Sequence, residues 1–152
     1  MKFLETPLKD VCIVEIEPIE DSRGLFARSW CKREFESHSL NPELVQCNIS
    51  FNIKKGILRG MHYQIKPFEE AKLVRCTRGA IFDVIIDLRA DSPTFKDWFA
   101  VELTEVFYQM SEYYSPEHSR GIRWNDPSFS IQWPEDKRII SKRDQQYPDF
   151  SQ

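Results

Sequence analysis

The chain has 152 residues, of which 41% are apolar and 30% charged, a globular balance that excludes a disordered or collagen-like protein. Its 21 basic and 24 acidic side chains leave a formal net charge of −3, which argues against a nucleic-acid-binding protein because such proteins need a basic excess. No apolar run is long enough to span a membrane, and the N-terminal residues lack the apolar region of a secretory signal. We therefore expect one soluble domain over residues 1–152.

The four cysteines are scattered along the chain, at Cys12, Cys31, Cys47 and Cys76, and none forms a C-x-x-C pair. Without an export signal, this spacing favours reduced thiols in the cytoplasm over a disulfide framework or a zinc site.

Short β-branched or aromatic runs, broken by turn residues, dominate the chain. In chain order the predicted strands are Val11–Ile16, Gly24–Trp30, Leu44–Phe51, Gly56–Gln64, Ala71–Thr77, Ala80–Leu88 and Trp98–Thr104. One short, charged helix is predicted over Cys31–Leu40, ending near Asn41-Pro42 because a residue before proline disfavours the α conformation. The last third is rich in proline and aromatic residues and indicates turns and short strands. This pattern favours an all-β fold, a β-sandwich or jelly roll with one short helix.

A row of hydrogen-bonding side chains follows one predicted strand. Gln46, Asn48 and Ser50 alternate along Leu44–Phe51 and so point to the same side. In the next strand His62 and Gln64 also share a face. Polar rows inside a sandwich destabilise it unless they are satisfied, so we expect these groups to serve a ligand or to pair with each other.

His62 is the strongest single candidate for a catalytic residue. The only other histidines are His38, on the charged helix, and His118, in a turn, and we expect both to be solvated. Their spacing does not predict a metal site. A general base suits His62 better, since imidazole titrates near neutral pH and a carboxylate can orient it. The residues leave the partner open among Asp83, Asp87 and Asp144.

Two cations and three tyrosines are further candidates. Lys72 and Arg59 could stabilise an oxyanion or a diphosphate, or could simply be surface cations. The tyrosines could donate a proton, stack on a base or pack against the sheet; they are Tyr108, Tyr113 and Tyr114.

Read together, nine collinear segments resemble the dTDP-4-dehydrorhamnose 3,5-epimerase family of nucleotide-sugar enzymes, which has a cupin-like jelly-roll fold. These segments are Asp21–Phe26, Gln46–Ser50, Gly56–Gln64, Lys72–Arg75, Phe82–Arg89, Ser92–Phe95, Tyr108–Tyr114, Gly121–Pro127 and Ser141–Asp144. The resemblance extends over nearly the whole chain.

The resemblance implies epimerisation at C3 and C5 of a nucleotide-linked 4-keto-6-deoxyhexose, with dTDP as the expected nucleotide and without a metal or cofactor. It assigns His62 as the base and Asp144 as its partner. Lys72 would stabilise the enolate, and Tyr108 would return a proton from the opposite face. The implied substrate-binding residues are Arg23, Phe26, Gln46, Asn48, Arg59 and Tyr114.

The resemblance also implies a homodimer that exchanges an N-terminal strand, with Arg23 and Phe26 reaching the partner's nucleotide. Strand parity places Arg59 and His62 on opposite faces, so both can serve one pocket only if Gly60 introduces a bulge or twist.

Two features depart from the family pattern. Arg28 stands where members with dTDP substrates often carry a glutamate. Thr104 also runs directly into Glu105, where the family inserts at least two strands and a second pocket histidine. A shortened relative, an engineered or mis-spliced form, or a loop omitted between the two residues would each explain the short junction. With a genuine peptide bond here, residues 97–110 could form one long strand in a jelly roll that lacks internal strands.

The alternatives to a 3,5-epimerase are therefore a catalytically impaired nucleotide-sugar-binding relative and a 3-epimerase or ketoisomerase on another nucleotide sugar. A metal-dependent oxygenase is disfavoured by the small number of histidines.

Overall fold

The computed structural model describes residues 1–134 and 137–151, with the backbone alone at positions 104–108. Within these residues the chain forms eleven strands and two short helices, which confirms the all-β expectation. The strands are β1 (Lys2–Glu5), β2 (Cys12–Glu15), β3 (Ile19–Asp21), β4 (Gly24–Phe26), β5 (Gln46–Asn48), β6 (Ile57–Leu58), β7 (His62–Gln64), β8 (Lys72–Ile86), β9 (Trp98–Met110), β10 (Ser119–Gly121) and β11 (Ile139–Ile140). The helices are α1 (Lys32–Ser37) and α2 (Lys142–Gln145), and neither is long and apolar enough to cross a membrane.

The largest sheet has the strand order β5-β9-β8, and all its pairs are antiparallel. Two strands predicted separately, Ala71–Thr77 and Ala80–Leu88, merge into the single strand β8. The predicted break survives as an irregularity in which Thr77, Arg78 and Gly79 lie opposite position 105 alone. Gly79 has a φ of 87°, a left-handed conformation that glycine adopts without steric cost.

Strand β9 continues through the Thr104–Glu105 junction. Thr104 pairs with Ala80 before the irregularity, and Val106 pairs with Cys76 after it. One strand over Trp98–Met110 agrees with the long strand expected from the short junction.

The predicted strand Gly56–Gln64 is instead two short strands, β6 and β7, because the chain changes direction at Gly60, whose φ is 148°. β6 pairs parallel with β11, and β7 pairs antiparallel with β10. The register of the second pair sets His62 directly opposite Gly121.

Helix α1 confirms the predicted helix with narrower bounds. Its one buried residue is Phe35, which contacts the ring of Phe3 edge-on at 5.5 Å between centroids. Helix α2 was not predicted; it is a single turn with Ser141 as its N-cap.

After α2 the chain is hydrogen-bonded to the segment that follows β10. The Arg123 N–H donates to the Pro148 carbonyl at 3.2 Å, and the Phe150 N–H donates to the carboxylate of Asp126. Asp126 is only 2% exposed. Among the side chains that the structure describes, the buried apolar ones of the core are Leu8, Phe35, Cys76, Met110, Ile122 and Phe129.

A second buried carboxylate, Asp87, organises the turn after β8. It accepts hydrogen bonds from the guanidinium of Arg89 and from the hydroxyls of Ser92 and Thr94. Arg89 in turn reaches Asp10, with 2.6 Å between Nη1 and Oδ2. This network ties the turn to the segment between β1 and β2.

Candidate active site

His62 begins β7 and its imidazole pairs with a carboxylate from the far end of the chain. Nε2 of His62 lies 2.7 Å from Oδ1 of Asp144. The His62 side chain is 40% exposed whereas that of Asp144 is 7% exposed, so the imidazole faces solvent and the carboxylate is buried. An imidazole oriented by a buried carboxylate can accept a proton from a bound substrate.

Asp144 is held by the start of α2. Its backbone N–H donates to the Ser141 hydroxyl at 3.1 Å, the bond expected of an N-cap residue. Of the three carboxylates that the residues alone left open, Asp144 is the one that the structure brings to His62. Asp87 accepts hydrogen bonds within the turn that follows β8. Asp83 lies within β8, where burial raises the pKa of its carboxyl.

Gln46 and Asn48 lie on one face of the central sheet, as the alternation predicted. Gln46 and Lys72 both pair with Met110 from opposite sides, so these three positions form one row across β5, β9 and β8. Nε2 of Gln46 donates to Oδ1 of Asn48 at 3.2 Å, and Asn48 Nδ2 is 3.4 Å from the Met110 sulfur. The amides therefore pair partly with each other. Ser50 lies beyond the end of β5 and does not extend the strand.

Lys72 is paired with a carboxylate that sequence reasoning missed. Its Nζ lies 2.5 Å from Oε1 of Glu70, whose side chain is only 4% exposed while that of Lys72 is 33% exposed. The other oxygen, Oε2, is buried without a hydrogen-bond partner in the described part of the chain. A fixed carboxylate of this kind restrains a flexible ammonium group. The acidic pair Glu69-Glu70 just before β8 was the available signal.

Tyr114 connects the amide row to α2. Its backbone N–H donates to Gln46 Oε1 at 3.2 Å, and its hydroxyl accepts from Arg143 Nη1 at 3.3 Å. Arg143 also donates from Nη2 to the Ser119 hydroxyl at 2.9 Å. The hydrogen bond from the guanidinium lowers the pKa of Tyr114. Arg143, which the sequence did not single out, thus places a cation against Tyr114 and Ser119, on the residue that precedes Asp144 in α2.

The other predicted binding residues lie further out. Nε of Arg59 donates to Oδ1 of Asn52 at 2.9 Å on the exposed segment before Gly60. Arg23 and Phe26 lie on the β3–β4 hairpin, with an Arg23 side chain 88% exposed and Phe26 74% exposed. Arg23 pairs with Asp21 at 2.5 Å.

The side chain of Tyr108 lies outside the described residues; its backbone pairs with Asn48 and Val74.

Two expectations about neighbouring side chains were wrong. Gln64 is buried and structural, since Nε2 donates to the Phe68 carbonyl at 2.8 Å and Oε1 accepts from the Ser115 N–H at 2.6 Å. His118 is half-buried, not solvated, because its ring packs on Phe68 at 4.4 Å between centroids. His38 is exposed as expected, although its ring stacks on Phe3.

Comparison with known proteins identifies one family throughout. The family model described as dTDP-4-dehydrorhamnose 3,5-epimerase matches residues 5–106 and 102–152. A Pseudomonas aeruginosa protein of that name is 37% identical over 177 residues, covering 99% of this chain and 97% of the relative. One from Shigella flexneri is 36% identical over 169 residues, covering 95% and 93%.

Solved structures agree. The dTDP-4-dehydrorhamnose 3,5-epimerase of Elizabethkingia anophelis superposes with a TM-score of 0.94 at 34% identity, covering 99% of this chain and 96% of that one. The enzyme from Bacillus anthracis, solved with TDP and PPi bound, gives a TM-score of 0.94 at 34% identity, covering 98% and 99%.

The comparisons also locate the short junction. The two pieces of the family match meet at residues 102–106, around Thr104–Glu105. The alignment with the Pseudomonas relative is longer than the 152 residues of this chain, so that relative has residues with no counterpart here. A family match over both pieces, together with relatives above 30% identity along nearly their full length, shows that this chain belongs to the dTDP-4-dehydrorhamnose 3,5-epimerase family.

Proposed function

We propose that the chain epimerises C3 and C5 of a nucleotide-linked 4-keto-6-deoxyhexose, with dTDP as the nucleotide, in the synthesis of a rhamnose-type deoxysugar for surface polysaccharide. The observation that carries this proposal is the exposed His62 imidazole held 2.7 Å from the buried Asp144 carboxylate. Family membership supports the substrate, since the relatives bear the name of that reaction.

The first step is proton removal. The 4-keto group acidifies the protons at C3 and C5, and His62 takes each proton as general base. When Nε2 of His62 is protonated and donates to Asp144, Nδ1 carries the lone pair that accepts the substrate proton. The buried carboxylate then stabilises the imidazolium that forms, so the base is ready when the substrate is in place.

The second requirement is to stabilise the enolate. Negative charge develops on the C4 oxygen when either proton leaves, and a preorganised cation lowers the energy of that state. Lys72 supplies this charge in the proposal. Its pairing with Glu70 holds the ammonium group on the face of the sheet that carries Gln46 and Asn48.

Inversion requires a proton from the opposite side of the sugar ring. Tyr108 is proposed as this acid, because its backbone lies on β9 between Asn48 of β5 and Val74 of β8. Returning the proton from the face opposite His62 inverts the centre.

The nucleotide and diphosphate are assigned to the remaining residues. Gln46, Asn48, Arg59 and Tyr114 would hold them from the same chain, whereas Arg23 and Phe26 would act across a homodimer with an exchanged N-terminal strand. The β3–β4 hairpin supports this arrangement, since Ile19, Leu25 and Phe26 are 70%, 63% and 74% exposed in the single chain.

We further propose that residues 1–152 act as one domain in the cytoplasm. None of the four cysteines, all of which lie in the described part of the chain, takes part in a disulfide, as a reducing compartment allows.

The test is proton NMR of dTDP-4-keto-6-deoxyglucose incubated with the protein in D₂O. We expect the C3 and C5 proton signals to disappear as deuterium replaces them. The variant His62→Ala is expected to stop the exchange while dTDP still binds. His38→Ala is the matched control, because His38 is exposed at the end of α1, and it should exchange at the rate of the unaltered protein. Exchange that persists in His62→Ala contradicts the assignment.

A second candidate function follows from the interrupted family match at residues 102–106. The family resemblance places a second pocket histidine in the segment missing there, so a nucleotide-sugar-binding protein without turnover is the alternative. It predicts dTDP binding with no exchange at either carbon. Loss of the C3 signal alone would indicate a 3-epimerase, and a different product would indicate a ketoisomerase.

A further inference from the structure

The residue directly opposite His62 in the β7–β10 pair is a glycine. In antiparallel pairs the side chains of opposed residues are close neighbours, so Gly121 leaves an open place beside the imidazole. The ring of Tyr147 fills that place. A Cβ added at Gly121 would lie less than 3.0 Å from its three nearest atoms, and all three belong to the Tyr147 ring.

The same ring contacts His62. The two ring centroids are 5.9 Å apart and the ring planes meet at 71°, an edge-to-face arrangement that aromatic pairs favour. Asp144 holds the imidazole at Nε2, and Tyr147 packs against its ring. A single hydrogen bond leaves a side chain free to swing about that bond, and a packed ring removes this freedom.

The backbone around Tyr147 is fastened on both sides. Asp144 is anchored to Ser141 before it, and after it the Pro148 carbonyl accepts from Arg123 and the Phe150 N–H reaches Asp126. The guanidinium carbon of Arg143 lies 5.7 Å from the centroid of the Tyr147 ring. Tyr147 is therefore held in place, and its ring limits the movement of the imidazole.

We propose that Tyr147 is a positioning residue for the base: its ring, accommodated by Gly121, fixes the orientation in which His62 meets the C3 and C5 protons. This inference rests on the proposed function, because it assumes that His62 is the base. Proton transfer depends steeply on such orientation, and a displacement of about 1 Å can lower a rate about 100-fold.

The first test compares Tyr147→Ala with Tyr147→Phe. Removing the ring is expected to lower kcat for exchange by about 10- to 100-fold with KM and dTDP affinity unchanged, because the substrate still binds but the base is misaligned. Tyr147→Phe keeps the ring that contacts His62 and is expected to restore kcat to within about threefold of the unaltered protein. Thermal unfolding of both variants separates a folding defect from a loss of alignment.

The second test uses Gly121→Ala. The three atoms nearest to its new methyl group all belong to the Tyr147 ring. The methyl group should therefore displace the ring and lower kcat as Tyr147→Ala does. In the double variant Gly121→Ala/Tyr147→Ala the collision is gone, and the alanine at position 121 should have no further effect on kcat. Such strong non-additivity is the signature of two residues that act through one contact.

Tyr147→Ala with unchanged kcat, or effects of the two substitutions that simply multiply, would overturn the positioning role. A Tyr147→Phe variant as slow as Tyr147→Ala would also overturn it, because the ring would then be insufficient. These results differ from failure of the proposed function, in which His62→Ala itself keeps its exchange activity.

Discussion

Asp144 follows His62 by 82 residues, yet Oδ1 of Asp144 lies 2.7 Å from Nε2 of His62. The backbone N–H of Asp144 is bound by the Ser141 hydroxyl at 3.1 Å. One residue therefore serves as part of a helix start and as the partner of the proposed base. The position of the carboxylate is set by the cap, so the geometry of the pair depends on a turn of only four residues.

Asp144→Asn tests the carboxylate with little change in shape. The amide cannot stabilise a protonated imidazole, so we expect the exchange rate to fall by about 100-fold or more. The affinity for dTDP should stay the same. Exchange kinetics in D₂O and calorimetric titration with dTDP measure the two quantities. A rate within a few-fold of the unaltered protein would show that His62 does not need this partner.

Lys72→Met tests the proposed enolate cation. Loss of one preorganised charge at the developing oxyanion is expected to lower kcat by about 100-fold. Glu70→Gln keeps the lysine but removes its ion pair, so a smaller decrease in kcat is expected. Steady-state kinetics of the two variants give the ranking; Glu70→Gln falling as far as Lys72→Met would instead assign Glu70 a direct role with the substrate.

The Tyr114 hydroxyl offers a pH test that needs no substrate. The guanidinium of Arg143 lowers the pKa of Tyr114 by stabilising the phenolate, so Arg143→Gln should move the ionisation of Tyr114 to higher pH. The ultraviolet absorbance of tyrosinate follows this titration. Tyr114→Phe identifies the component that belongs to this residue, and an Arg143→Gln titration identical to that of the unaltered protein would contradict the contact.

Asp87 predicts how stability depends on pH. Arg89 and the nearby hydroxyls hold the pKa of Asp87 well below its ordinary value of 3.8. The ionised carboxylate therefore stabilises the fold above that value, and this contribution is lost as the pH falls below it. Asp87→Asn is expected to lower the free energy of unfolding by about 2 kcal/mol at neutral pH, since the amide cannot accept the charge-assisted hydrogen bonds that the buried carboxylate receives.

The difference between Asp87→Asn and the unaltered protein should shrink as the pH falls below about 4, because there the carboxyl of the unfolded chain gains its proton while the native carboxyl is still ionised. Urea unfolding at several pH values measures it. Asp91→Asn is the matched control, because Asp91 is an exposed carboxylate in the same turn and should change stability little at any pH. A difference that stays constant with pH would contradict the assignment to ionisation.

The longer strands were predictable from β-branched and aromatic runs, but their lengths were not, and the short strands β1 and β3 were not predicted. A single apolar run was predicted over Gly56–Gln64, whereas Gly60 has a positive φ that turns the chain and ends β6 before β7 begins. The opposite happened at Thr77–Gly79, which looks like a turn. There the continuous partner strand β9 carries the pairing past the irregularity, which is a tertiary effect that local sequence does not encode.

The candidate site was only partly accessible from the sequence. Alternation correctly placed Gln46 and Asn48 on one face, because strand parity is a local property. The choice of Asp144 over Asp83 and Asp87 came from the family resemblance, since nothing local links positions 62 and 144.

Helix α2 could have been found from Ser141 and Asp144, whose spacing is that of a capping pattern. Tyr147 could not, because its importance arises from Gly121, which meets it only in the folded chain.

The separation between His62 and Asp144 has a consequence for synthesis of the protein on the ribosome. His62 emerges early, but Asp144 and the Tyr147 ring that contacts the imidazole come from a segment made more than 80 residues later. A growing chain therefore carries a lone imidazole through most of its translation. The His62–Asp144 contact forms only after α2 has left the exit tunnel, so any product that stops before Asp144 keeps the histidine without its partner.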